Sequence, residues 1–390
     1  MRKIAIKLLI GGSPCTHWSI AQKNNRETVP SGEGWELFKN YLIAKEKFKP
    51  DFFLYENNKS AAQAIKDQIA KELGVGVDPK VRFTYINSAL VSAQNRQRFY
   101  VTNFGDIEQP EDRGILLKDI LEYGIPFRKD KSHCIDANYF KGGNLTGFNR
   151  QSGQRLCVAE PVGDTNGAMV AEPLCVAQRG RYGGDGSIEQ QYEARTDGKT
   201  NAITTVQKDN SVAEPVCMRY ERGVPVKAVS CADGKEYPVY QVLNGQITIK
   251  DKQYDIKLPD GYYIIRKLTV TECCRLQTMP DDYCKAVSAT QAYKGLGNGW
   301  TAEVIIHLLN HALKDIPRNE EIVVLSLYDG IGTGRYCLDK MGFTNVKYYA
   351  YEIDKYPMAI ANDNYPDIIQ CGDAFAVRED SWKPPLGVSK

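Results

Sequence analysis

Hydrophobic and polar positions fall into three regimes along the chain. From residue 1 to about 107, short apolar runs alternate with segments whose apolar residues recur at helical spacing. Ile4 to Ile10 reads as a buried strand and Phe52 to Tyr55 as a second. Trp35 to Lys47 is predicted helical through Leu37, Phe38, Tyr41, Leu42 and Ala44, and Ala61 to Leu73 through Ala64, Ile65, Ile69 and Leu73. Val81 to Asn87 and Arg98 to Phe104 are two more predicted strands. Between about 108 and 263 the helical period vanishes, and Gly, Asn, Asp, Ser, Thr and Gln dominate. Short β-type runs, Ala202 to Val206 and Tyr237 to Ile249, stand among turn signals there. Val-Ala-Glu-Pro begins at 158, 170 and 212, and such uneven gaps argue against a solenoid. From 264 onward regularity returns. Helices are predicted over Thr271 to Met279, Ala302 to Leu313, Arg335 to Met341 and Tyr356 to Asn364. Strands are predicted over Glu321 to Leu327, Val346 to Tyr351 and Ile368 to Cys371.

Strand–helix alternation at both ends predicts one layered α/β sheet built from 1–107 and 264–390. Residues 108–263 are expected to form a separate, irregular, β-rich domain.

Composition narrows the class. Over 390 residues, 42% hydrophobic and 10% aromatic content is that of an ordered globular chain, with room for two domains. No apolar run reaches the ~18 residues of a membrane span, and no secretory leader is expected. The 11 cysteines are scattered without Cys-x-x-Cys, and only 4 histidines accompany them. Neither a disulfide framework nor a metal site is expected, and a cytoplasmic setting fits. A net charge of +2 leaves nucleic acid open as a partner, because a local patch can act without a basic total.

Candidate chemistry sits at strand ends. The strand ending at Leu327 runs into Tyr328-Asp-Gly-Ile-Gly-Thr-Gly334, a helix follows, and the next strand ends in Glu352-Ile-Asp354. This is the first half of a nucleotide site: glycines for close backbone approach, then a carboxylate for ribose hydroxyls. A tight turn in a non-binding α/β protein gives the same pattern. Gly11-Gly-Ser-Pro-Cys15 follows the first strand, where a cysteine near a helix start is placed to act as a nucleophile, or is a buried structural thiol. Glu56 closes the second strand, pointing into the crevice or lying at a surface turn. Arg96 and Arg98 stand at alternate strand positions, as an anion clamp or a solvated edge.

Taken in order, these motifs resemble those of DNA cytosine methyltransferases that modify carbon 5. Pro14-Cys15 matches the family's nucleophile motif, Glu56-Asn57 its Glu-Asn-Val motif, and Gln94-x-Arg96-x-Arg98 its Gln-x-Arg-x-Arg motif. Arg266-Lys-Leu-Thr, Glu272-x-x-Arg275-Leu-Gln, Pro280-Asp-Asp-Tyr283 and Leu296-Gly-Asn298-Gly match later segments. Leu327-Tyr-Asp-Gly-Ile-Gly332, Glu352 and Asp373 match the S-adenosylmethionine site, which in typical members comes first. The order here is similar to that of circularly permuted members, with Lys314 to Glu321 as the new linker. Ser326-Leu-Tyr-Asp-Gly-Ile-Gly-Thr-Gly and Gly297-Asn-Gly-Trp300 also look like the animal de novo branch and like phage-borne enzymes, so a phage or prophage origin is expected. Two departures stand out: Ser326 where many bacterial members have Asp, and Asn58 in place of Val.

The resemblance implies a Rossmann-like, circularly permuted methyltransferase sheet with an inserted target recognition domain. It implies Cys15 as nucleophile, Glu56 as the acid at ring nitrogen 3, and Arg96 and Arg98 as a clamp. S-adenosylmethionine would be held by Pro14, Asn298, Trp300, Tyr328, Asp329, Gly330, Ile331, Gly332, Thr333, Glu352, Ile353 and Asp373. The loop from Thr16 to Gly34 would close over a flipped base. Double-stranded DNA is the implied partner of an expected monomer, with Ser19, Arg179, Arg181, Arg195, Lys199, Asn201 and Lys208 as candidate contacts. A modification role beside a restriction nuclease is one expectation. A tRNA cytosine methyltransferase and a catalytically inactive DNA-binding regulator are the alternatives.

Overall fold

The computed structural model describes residues 5–19, 26–122, 132–133, 174–182, 188–194, 211–215, 220–221, 224–225, 228–230, 236–249, 252–255, 260–266 and 268–385. For Cys15, for the strands between 132 and 230, and for residues 118, 249, 252, 254–255, 261–263 and 265–266 it describes the backbone alone.

Seven strands form the central sheet: β1 (Ile6–Gly11), β2 (Phe52–Asn58), β3 (Arg82–Asn87), β4 (Gln97–Thr102), β5 (Ile322–Leu327), β6 (Val346–Tyr351) and β7 (Ile369–Gln370). Their spatial order is β7-β6-β5-β1-β2-β4-β3. The chain's first strand therefore lies beside β5, from its last third, in parallel register with Gly11 opposite Leu327. β2 pairs with β1 in parallel, and β6 and β7 extend the sheet in parallel beyond β5. Only β4 runs the other way, antiparallel to both β2 and β3.

Among the described residues, seven α-helices accompany the sheet: α1 (Glu33–Phe48), α2 (Gln63–Leu73), α3 (Val270–Leu276), α4 (Ala289–Asn298), α5 (Ala302–Leu313), α6 (Thr333–Lys340) and α7 (Lys355–Asn364). Strand alternation divides the core into two layers. Leu8, Ile10, Leu54, Val324 and Tyr348 face α3 to α7, while Leu9, Phe53, Tyr55, Leu325 and Leu327 face α1, α2 and the turn at 374–378. A β-sheet sealed on both faces explains the continuous apolar runs of β1 and β5.

The sequence reading differs in detail. β2 continues three residues past the apolar run Phe52 to Tyr55, to Asn58, with Glu56 on the strand. α1 starts two residues earlier than Trp35. α3 stops at Leu276 and not Met279, because Thr278 adopts a left-handed φ of 56°. α4 has no counterpart in the prediction, since its Gly295 and Gly297 are poor helix formers. Its reason is tertiary: a Cβ at Gly295 would lie 2.8 Å from Ile331 Cγ2, so glycine is what lets the helix press against the Gly-rich turn.

In the middle region a second seven-stranded, antiparallel sheet runs in the order 252–255, 246–249, 240–243, 261–266, 211–215, 174–182, 188–194. The predicted run Tyr237 to Ile249 is broken by a hairpin turn at Asn244 and Gly245, with φ of 53° and 72°. Ala202 to Val206 lies outside the described residues.

Candidate active site

Because β1, β2, β5, β6 and β7 are parallel, their C-terminal ends share one edge of the sheet. β4 is antiparallel, so its N-terminal end joins them there: Arg98 stands opposite Asn58. That topology gathers candidates from both ends of the chain around one cavity of about 480 Å³, within the usual range for small-molecule sites.

On one side lies Glu56. Its Oε1 meets Arg98 Nε at 2.9 Å, and its Oε2 accepts from Trp300 Nε1 at 3.0 Å. Gly12 permits this placement. A Cβ there would lie 2.6 Å from the Glu56 carbonyl oxygen and 2.9 Å from Oε2. Asn57, the next residue, is buried and faces the turn before Cys15: its Nδ2 donates to the Ser13 carbonyl oxygen at 2.9 Å and to Tyr55 Oη at 3.1 Å. Ser13 Oγ and Tyr55 Oη are themselves 2.7 Å apart. Cys15 opens a short 3-10 turn, Cys15–His17.

Arg96 is not a partner of Arg98 on one strand face. It falls between the two-residue strand 94–95 and β4, and its guanidinium donates to the carbonyl oxygens of Gly297 (3.2 Å) and Gly299 (2.8 Å). Gln277, fully buried, joins it by donating to the Leu296 carbonyl oxygen at 2.6 Å and accepting from Thr301 Oγ1 at 2.8 Å. Arg96 and Gln277 thus anchor the turn that carries Asn298 and Trp300.

On the other side lies the turn after β5. Tyr328 takes a left-handed φ of 59°, held by Oη donating to the Leu37 carbonyl oxygen (2.8 Å) and accepting from Asn40 Nδ2 (3.0 Å). Gly330 and Gly332 follow with φ of 64° and 78°. Ser326 Oγ and Tyr348 Oη each donate to Asp329 Oδ1 at 2.6 Å. Asp329 Oδ2 is buried with no hydrogen-bond partner, as is Thr333 Oγ1 at the start of α6. Burial, with the Glu352 charge as a lesser contributor, pushes the Asp329 carboxyl up to about 6 against its two hydroxyl donors. Ser326 therefore does not leave the site without a carboxylate. It serves one supplied three residues later.

Glu352 directly follows β6 and is fixed by backbone amides. Oε2 accepts from Gly330 N–H at 3.0 Å, and Oε1 from Ile353 and Asp354 N–H at 2.9 and 2.8 Å. Asp373 accepts from Phe375 N–H at 2.9 Å. Pro14, Asn298, Ile331 and the exposed Ile353 also line the cavity. Gly332 does not. Its missing side chain instead makes room for Ala361, 3.1 Å from where a Cβ would stand.

The candidate DNA contacts are more dispersed. Ser19 is buried. Arg179 and Arg181 alternate on the strand 174–182, opposite Gln191 and Glu189. Arg195, Lys199, Asn201 and Lys208 lie outside the described residues. Asn58 also lines the cavity, and its Oδ1 accepts from Ser60 N–H at 3.0 Å, closing the turn after β2. Sequence reasoning quoted Asn57 and Gln277 inside motifs without giving either a role. Neither carries a local sequence signal, since Asn57 stands between Glu56 and Asn58 and Gln277 is followed by Thr278. No group of three or more metal-ligating side chains occurs among the described residues, and no described helix is long and apolar enough to cross a membrane.

Known proteins give the arrangement a context. The Type II methyltransferase M.MthTI of Methanothermobacter thermautotrophicus is 23% identical over 315 residues, 79% of this chain and 78% of its own length. M.Bpa9945I of Bacillus paralicheniformis, also a Type II methyltransferase, is 21% identical over 350 residues, 81% of this chain and 72% of its own. Among solved structures, the Entamoeba histolytica methyltransferase EhMeth aligns over 80% of this chain and 78% of its own, at 12% identity and a TM-score of 0.36, too low to carry an argument. The family described as C-5 cytosine-specific DNA methylase matches residues 1–314, which hold the Pro14-Cys15 turn, Glu56, Arg98 and the turn at Trp300. The chain belongs to the C-5 cytosine-specific DNA methylase family.

Proposed function

We propose that the protein methylates carbon 5 of cytosine within a specific duplex DNA sequence, taking the methyl group from S-adenosylmethionine. The observation that carries this reading is a single cavity. One wall holds Glu56 between Arg98 and Trp300, and the other holds Asp329, Thr333 and Glu352.

The residues present suit the cofactor. Buried Asp329 Oδ2 and Thr333 Oγ1 lack partners, which buried polar atoms rarely do. They fit the charged methionine end, with the N-terminus of α6 beside its carboxylate. Glu352, at a strand end, fits ribose, and Tyr328, Ile353 and Asp373 fit the adenine region. When bound, the cofactor supplies an electrophilic methyl group on sulfur.

The chain's own residues make carbon 5 reactive. Cys15 adds as thiolate to carbon 6, breaking the ring's aromaticity. Glu56 supplies a proton to ring nitrogen 3 and accepts from the exocyclic amine, an arrangement that selects cytosine over thymine. Arg98 holds the carboxyl in place. After carbon 5 is methylated, its proton passes to water, the electron pair left behind re-forms the ring double bond and expels the Cys15 thiolate, and nitrogen 3 returns its proton to Glu56. A stacked base cannot enter such a cavity, so the cytosine is flipped out at a cost of a few kcal/mol. The loop beginning at Thr16 closes over it. That loop is tied at its base, where buried Trp18 donates to Glu27 Oε2 at 3.0 Å.

Circular permutation accounts for the chain order. The family match ends at residue 314, whereas the Gly-rich turn lies at 328–334, directly after β5, the strand adjacent to β1. The middle sheet, with Arg179 and Arg181 on one strand, is the region we assign to target recognition. The test is methyl transfer to duplex DNA and to tRNA, with adduct trapping on a duplex containing 5-fluorocytosine. Transfer to DNA with a trapped adduct is expected. Transfer to tRNA alone would contradict the substrate, and DNA binding with neither transfer nor adduct would indicate an inactive regulator.

A further inference from the structure

Trp300 touches the two halves of the site differently. Its indole lines the cavity, yet its only polar atom is directed at Glu56 and not at the Gly-rich turn. With Arg98 Nε on Oε1 and Trp300 Nε1 on Oε2, each carboxyl oxygen has one donor, from strands and loops far apart in sequence. An indole N–H donates and never accepts, and a guanidinium does not give up its proton near neutrality. Such partners fix the carboxyl plane without competing as acids.

The support beneath Trp300 is unusually complete. Arg96 donates to the carbonyl oxygens on either side of Asn298, Gln277 holds Leu296, and Ser88 Oγ donates to Thr301 Oγ1 at 2.9 Å. The helix behind the turn, α4, packs its Gly295 against Ile331 of the Gly-rich turn. The same rigid piece therefore contacts the cofactor side through Ile331 and the base side through the indole.

We infer that Trp300 is a positioning residue for Glu56: its N–H sets the orientation in which the carboxyl meets the cytosine ring. The α4 turn links that orientation to the cofactor side. This rests on the reading of Glu56 as the group that engages ring nitrogen 3.

Trp300→Phe removes the N–H and keeps an aromatic wall. Lost orientation of a charged-group hydrogen bond is expected to lower kcat roughly ten- to a hundredfold. The Kd of S-adenosylhomocysteine, measured by calorimetry, should stay within about threefold, and so should the KM for DNA, because no bond to either is removed. An unchanged kcat, or a loss confined to cofactor affinity, would overturn the proposal and leave Trp300 as cofactor wall. A second measurement needs neither activity nor that variant. In 15N-labelled protein, the Trp300 indole N–H resonance should move when Glu56 is replaced by Gln, and the other indole resonances should not. A stationary Trp300 signal would also overturn it. Wild-type protein that methylates no DNA while this resonance responds would count against the proposed reaction and not against the Trp300–Glu56 bond.

Discussion

Asn57 Nδ2 donates to the Ser13 carbonyl oxygen at 2.9 Å, two residues before Cys15, while its neighbour Glu56 extends from the other face of the strand to Arg98 and Trp300 in the cavity that both residues line. Alternation along one strand thus aims two adjacent side chains at two tasks. One locks the turn that leads to the nucleophile, and the other faces the base. Asn57→Ala leaves a buried carbonyl and Tyr55 Oη without this donor, a loss of about 1–3 kcal/mol. Thermal unfolding should show that destabilisation, and kcat should fall more than the affinity for S-adenosylhomocysteine does.

Gly12 is fixed by space rather than by conformation. Gly12→Ala places a methyl 2.6 Å from the Glu56 carbonyl oxygen, in a site already closed by β1 and β2. Overpacking of this kind costs about 1–3 kcal/mol. Methyl transfer should collapse, with denaturant titration showing the modest stability loss. A fully active Gly12→Ala enzyme would show that Glu56 can do its work from elsewhere.

Cys15→Ser should abolish methylation and adduct trapping while leaving S-adenosylhomocysteine affinity within a few-fold. Calorimetry on the variant checks this, and loss of cofactor binding would remove Cys15 from its assigned role.

The Asp329 carboxyl gives a pH signature. Its folded value of about 6 lies above the ordinary 3.8 because burial disfavours the charge. A raised acid contributes stability to the free protein that is full below about pH 4 and is lost as pH rises through about 6. A cation at Oδ2 favours the charged form, so affinity for the ammonium-bearing S-adenosylhomocysteine should rise between pH 5 and 7. Asp329→Asn should flatten that rise. Identical pH profiles in both proteins would separate Asp329 from the cofactor's charged end.

The α/β alternation was legible because β1 and β5 are apolar runs bounded by glycine or acid, and α2 and α5 have clean apolar faces. The motif residues were legible for the same reason: they sit at strand ends. What escaped was set by tertiary contact. α4 is a helix because two glycines allow it against Ile331, which no local preference expresses. Arg96 and Arg98 share a spacing but not a face, because the chain breaks between strand 94–95 and β4 and sends Arg96 beneath the Trp300 turn. The Ser326 departure was readable as a lost carboxylate. Only the fold shows Asp329 folded back onto Ser326 and Tyr348.

The most direct test is bisulfite sequencing of plasmid DNA from bacteria that lack cytosine methylation and express this chain, with Cys15→Ser as the control. The account predicts protected cytosines in one short sequence context with the wild type and none with the variant. Soluble, folded wild-type protein that protects no cytosine, or a Cys15→Ser variant that protects the same ones, would contradict it.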